Sequence, residues 1–115
     1  MVEKPIYNLC RRADWEAAVK LGEYRGSADD RRDGFIHFST AAQVRESAAR
    51  HRAGAPDLLL LAVEPASLGA ALKWEPARGG ALFPHLYGPL PVPAVKTATP
   101  LGLDPGGRHV FPPLD

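Results

Sequence analysis

From residue 84 onward a proline recurs every few positions, at 84, 89, 91, 93, 100, 105, 112 and 113. Proline has no amide donor, and its ring clashes with the preceding turn of a helix. The last quarter of the chain is therefore barred from helix and must be built of strands, turns and loops. Any helices have to come from the first half, where prolines are sparse. Helices early and strands late make α+β the expected class.

At 115 residues the chain suits one domain with a single core. A hydrophobic share of 45% and a charged share of 23% are ordinary for a globular protein. A formal net charge of +1 gives no strong nonspecific attraction to nucleic acid or an anionic membrane. Cys10 is the single cysteine, so no intrachain disulfide forms, and a small buried hydrophobe is its expected role. The N-terminus "MVEKPIYNL" lacks a signal-peptide core, and the longest aliphatic run, "LLLLAV" at 58–63, is far short of a membrane span. A cytoplasmic protein is expected.

Periodicity sketches the elements. "PIYNLC" (5–10) reads as a first strand. "RADWEAAVKLG" reads as a short helix, with Asp14 at the N-cap, Trp15, Ala18 and Val19 on one face, and Gly22 as the stop. Residues 23–33, "EYRGSADDRRD", are polar and read as a loop. Thr40-x-x-Gln43 resembles a capping box opening a second helix from Ala41 to Arg52, with Ala41, Val44 and Ala48 inward. "DLLLLAVEP" is a strand buried on both faces and hence central. "ALKWE" (71–75) is a further strand, "LFPHLYGPL" (82–90) an edge strand or shaped loop because of Pro84, and "AVKTATPL" (94–101) the last strand. The expectation is a single α+β domain over 1–103, with two short helices near the N-terminus and a split mixed or antiparallel sheet. Residues 104–115, "DPGGRHVFPPLD", are expected as an irregular tail.

Two short apolar segments carry the candidate chemistry: "GFIHFST" (34–40) and "LFPHLYGPL". Alternation sends Ile36 and Phe38 one way and Phe35, His37 and Ser39 the other. A covered face with an imidazole beside a hydroxyl suits a polar ligand. In the second segment Phe83, His85 and Tyr87 share a side, and residues 79–95 contain no Asp, Glu, Lys or Arg. The bland reading of each is a core histidine or tyrosine satisfied by backbone. Glu75 beside Trp74 is a candidate for stabilising positive charge or orienting a nucleophile, against a solvated strand-end acid. Arg31 and Arg32 suit phosphate recognition, against pairing with Asp29, Asp30 or Asp33. His51, between two arginines, is expected to be exposed. The four histidines show no zinc-ligand spacing, and no phosphate-binding glycine loop is present, so no metal is expected.

"IYNLCRRADWEAAVKLGEY", "DGFIHFSTAAQV", "LLLLAVEPASLGAALKWE" and "LFPHLYGPL" together resemble the small bacterial family catalogued as domain of unknown function 952, over about Ile6 to Val95. The resemblance implies an ADP-ribosyltransferase-like fold, in which a cleft between two small sheets holds NAD. It implies NAD or a related nucleotide such as ADP-ribose as the ligand. His37, Glu75 and His85 would be the catalytic residues, with Ser39, Phe83, Tyr87 and Arg32 as ligand contacts. His37 and Ser39 match the superfamily's strand-borne histidine. Tyr87 or Phe83 would stack on the nicotinamide. Glu75 departs from the superfamily pattern, since it precedes the His-x-Tyr block rather than following it. RNA 2'-phosphotransferases, which use additional histidines, offer His85 as a second one. Breaking the ribose–nicotinamide bond would develop an oxocarbenium-like cation. The rival expectation is a non-catalytic binding or interaction module with the same fold.

Overall fold

The computed structural model describes residues 4–114, which fold into three antiparallel sheets, three α-helices and short 3-10 turns. Strand β1 (Ile6–Arg11) pairs with β4 (Leu58–Val63), which pairs with β8 (Val95–Leu103), which pairs with β9 (His109–Val110). A second sheet has the order β3 (Ile36–His37), β6 (Leu82–Leu86), β5 (Leu72–Pro76). The smallest joins β2 (Glu23–Tyr24) to β7 (Leu90–Pro91). The split α+β architecture is as expected, and every strand pairing is antiparallel.

The aliphatic run 58–63 explains itself in β4. Leu59, Leu61 and Val63 face a core cluster with Ile6, Cys10, Ile36, Phe38 and Leu86. Leu58 and Leu60 face the other way, onto Tyr7, Val44 and Leu101. A strand flanked by partners on both edges and covered on both faces has no polar side to present. Burial pushes the Cys10 thiol up to about 12, so it stays a neutral core group.

Helix α1 (Arg12–Leu21) ends at Gly22, whose φ of 95° is the left-handed cap, with its N–H on the Ala18 carbonyl. Its N-cap is Arg11; Asp14 lies inside the first turn, where a carboxylate still favours the helix dipole. Ala18 is buried and Trp15 packs on the core, but Val19 is exposed, so the apolar face is narrower than expected. Helix α3 (Ala41–His51) starts as expected, with the Thr40 amide donating to Gln43 Oε1 at 3.0 Å, and buries Val44 and Ala48.

Three further sequence expectations are corrected. Residues 23–33 are not one loop: they contain β2 and helix α2 (Ala28–Asp33). The proline-bearing strand is not at an edge, because β6 lies between β3 and β5. Pro84 is tolerated there because its carbonyl, and hence its missing N–H, points to the β3 side, where pairing stops after His37–His85. Only the Pro84 carbonyl is used on that side, accepting from the Phe38 amide at 3.0 Å. Finally, the segment read as an irregular tail contains β9. His109 Nε2 donates to the Ala55 carbonyl at 2.8 Å, and Phe111 and Leu114 pack on the core around Val44.

Strand β3 joins the two larger sheets. Ile36 and His37 pair with Leu86 and His85 of β6, and two residues later Ser39 exchanges both backbone hydrogen bonds with Tyr7 of β1 at 2.8 Å each. Since Leu61 is fully buried in the central strand, Leu61→Ala should destabilise the fold by about 2–5 kcal/mol, read as a lower midpoint in urea denaturation. A loss under about 1 kcal/mol would show that β4 is not the centre of the core.

Candidate functional site

The handover of β3 from β6 to β1 leaves a cavity of about 410 Å³ between the sheets. Strand β1 supplies Asn8, β3 and its extension supply His37 and Ser39, and β6 supplies Phe83 and His85. Helix α2 and the end of α3 close the remaining wall with Asp29, Asp30, Arg32, Asp33, Ser47, His51 and Arg52.

Asp30 organises the α2 wall. Ser27 caps the helix, its Oγ accepting from the Asp30 amide at 3.2 Å, while Asp30 Oδ2 accepts from the Ser27 amide at 2.8 Å. The other oxygen, Oδ1, accepts from the His37 backbone at 3.2 Å and from His37 Nδ1 at 2.6 Å. Burial alone would raise this carboxyl, but the hydrogen bonds from His37 and Ser27 outweigh it and hold it below its ordinary value. Gly26 makes the arrangement possible: its φ is 98°, and a Cβ there would lie 2.7 Å from Asp30 Cβ.

His37 has a carboxylate at each ring nitrogen, Asp30 at Nδ1 and Asp33 Oδ2 at Nε2, 3.0 Å away. The hydrogen bond to Asp30 dominates in raising its pKa above the ordinary range, with Asp33 adding to it. In its protonated form His37 donates from Nδ1 to Asp30 and turns Nε2 toward Asp33, with no lone pair for a ligand. The mouth continues this alternation of charge. Arg32 forks onto Asp33 (3.0 Å) and Asp29 (3.3 Å), and Arg52 lies 3.5 Å from Asp29. Arg32 thus lines the cavity while engaged in the acidic pairing that was its alternative reading.

His85 sits directly across the strand pair from His37, ring centroids 5.8 Å apart, and is itself buried. Its Nδ1 donates to Glu75 Oε1 at 2.8 Å, and the Tyr87 hydroxyl donates to the same oxygen at 2.7 Å. The Tyr87 hydrogen bond, followed by that from His85, holds the Glu75 carboxyl below its ordinary range. In the neutral ring, with Nδ1 donating to Glu75, Nε2 carries the lone pair, and Nε2 has no hydrogen-bond partner among the described residues. Phe35 stacks on the His85 ring at 3.9 Å and 20°, fixing its plane.

The sequence candidates therefore divide. His37, Ser39, His85, Phe83 and Arg32 line one cavity, and Ser39 Oγ also meets Ser47 Oγ at 2.9 Å. Glu75 and Tyr87 do not line it; they stand behind His85. His51 is exposed, as expected, and lies at the mouth. Sequence reasoning missed Asn8, Asp30, Asp33 and Arg52. The Ser27-x-x-Asp30 capping pattern was a usable sign for Asp30. For Asn8 the sign was a polar residue on the same strand face as the buried Ile6 and Cys10.

The titration of this network has a definite direction. Asp30, with a depressed pKa, contributes stability above its ordinary 3.8 that is lost as pH falls through its folded value. His37, with a raised pKa, contributes stability below its ordinary 6.5 that is lost as pH rises through its folded value. The stability difference between wild type and His37→Gln should therefore be largest between about pH 4 and 6.5 and shrink at higher pH. Urea denaturation across pH checks this, and a difference that stays flat from pH 5 to 9 would contradict it. In NMR titration His37 should titrate above 6.5, and Asp30→Asn should lower that midpoint.

A family described as "Protein of unknown function (DUF952)" matches residues 9–98. The fold is similar to the crystal structure of protein CC0527 from Caulobacter crescentus, 49% identical with a TM-score of 0.90, over 92% of this chain and 93% of that one. It is similar also to the solution NMR structure of CC0527, 50% identical with a TM-score of 0.81, over 90% of each chain. Among curated proteins none matches. With the family match running from β1 into β8, and this degree of identity to a whole solved chain, the protein belongs to the DUF952 family.

Proposed function

We propose that the cavity binds a nucleotide-like small molecule and that His85 moves a proton to or from a hydroxyl of that ligand. The observation that carries this is the Tyr87–Glu75–His85 chain. A carboxylate fixes one ring nitrogen as a donor, and the other nitrogen carries its lone pair in a buried ring lining the cavity. Glu75 is then a positioning residue that acts through His85.

The ligand class is supported by size, shape and charge. A volume of about 410 Å³ lies within the range of small-molecule sites. Phe38 and Phe83 offer flat apolar surface, Ser39 and Ser47 offer hydroxyls, and Arg32 and Arg52 bring cationic donors that suit a phosphate to the mouth. NAD and ADP-ribose are the ligands favoured by the resemblance to ADP-ribosyltransferases, and a cleft between two antiparallel sheets with a strand-borne histidine accords with that resemblance. Cleaving the ribose–nicotinamide bond through a carboxylate that stabilises the sugar cation is less favoured, because Glu75 stands behind His85. Proton transfer at a ribose or acceptor hydroxyl fits the geometry better.

The non-catalytic alternative draws on one observation: the carboxylates and cations of the α2 wall already pair among themselves. Amide NMR during titration with NAD and ADP-ribose, followed by product analysis, separates the two. Shifts at Ser39 and His85 with product formation are expected. His85→Gln should retain binding and slow turnover by about 10²–10⁴-fold, the usual contribution of a general base. Binding without any product favours the non-catalytic module. No shift at millimolar ligand overturns the nucleotide proposal.

A further inference from the structure

Asn8 is the one polar residue on the inner face of β1, between Ile6 and Cys10, both of which lie in the core. It is 4% exposed. Its Nδ2 donates to the His37 carbonyl at 2.8 Å, which ties β1 to β3 and settles which end of the amide is which, since a flipped group would set oxygen against oxygen. Its Oδ1 is fully buried and, among the described residues, has no hydrogen-bond partner. A buried acceptor left unpaired is destabilising, and such exceptions call for an explanation. Asn8 is part of the cavity wall, and a molecule in the cavity that reaches its carboxamide oxygen would supply the missing donor.

The neighbouring groups sharpen what that molecule must offer. His85 Nε2, with Nδ1 donating to Glu75, is also an acceptor. Both ring nitrogens of His37 already face carboxylates, Nδ1 at Asp30 and Nε2 at Asp33. The inner wall therefore asks for donors and has few to give, whereas the cations lie at the mouth. Phe83, buried beside His85, adds a flat apolar surface.

We infer that Asn8 Oδ1 is a specificity determinant that selects ligands whose planar head group carries an N–H donor, such as an amino-substituted base or a carboxamide. This inference rests on the proposal that the cavity takes a nucleotide-like ligand. A head group lacking the donor leaves Oδ1 buried and unpaired in the complex, and sites built around a polar contact discriminate strongly against analogues that lack it.

Two pairs of probes test the inference: adenosine 5'-monophosphate against purine riboside 5'-monophosphate, and nicotinamide mononucleotide against nicotinic acid mononucleotide. Each pair differs at the head-group donor. Calorimetric or NMR titration of the wild-type protein should show at least one donor-bearing probe binding tenfold or more tightly than its counterpart. The Asn8 side-chain amide signals should shift only with the donor-bearing member. Asn8→Leu should bring the two affinities together, and because the comparison is already complete in the wild type, a variant that folds poorly does not decide it. Equal binding within both pairs overturns the role of Asn8 while leaving the nucleotide proposal standing. No binding by any of the four overturns the nucleotide proposal, and the inference about Asn8 falls with it.

Discussion

A single buried carboxylate holds the cavity wall of this protein together. Asp30 caps its own helix through Ser27 and receives both the amide and the ring N–H of His37. A carboxylate 5% exposed would be strongly disfavoured without such partners. With them it fixes helix α2 against β3 and sets the charge of His37. The absence of a side chain at Gly26 is part of the same arrangement, because only glycine leaves room beside Asp30 at that backbone angle.

The two histidines show how environment divides chemically identical groups. They lie opposite one another on adjacent strands and line one cavity. His37 has a carboxylate at each nitrogen, which favours its charged form. His85 meets a carboxylate at Nδ1 alone, with Phe35 stacked on its face, and keeps an acceptor for the cavity.

How far the sequence discloses this depends on how local each signal is. The run 58–63 and the Thr40-x-x-Gln43 start are local, and both strand and helix form where expected. Helix α2 has no apolar periodicity; its stability comes from a cap and from Asp30 reaching residue 37, so composition alone reads as loop. The placement of β6 between two partners depends on which edge of the strand the Pro84 nitrogen faces, and that is fixed only once β3 docks. The alternation in "FIHFS" put His37 and Ser39 on the face that does line the cavity. It could not show that Glu75 and Tyr87 would turn toward His85 instead. Asn8 interrupts the apolar face of β1, which marks a polar core position but not that its oxygen lacks a partner.

Strand β3 is only two residues long, yet it changes partners within four, from β6 at Ile36 and His37 to β1 at Ser39. It works as a clasp between two otherwise separate layers, and the hollow exists because the clasp is shut. Its wall is drawn from both layers, Asn8 from one and Phe83 and His85 from the other. The hollow is thereby tied to the completeness of the whole fold.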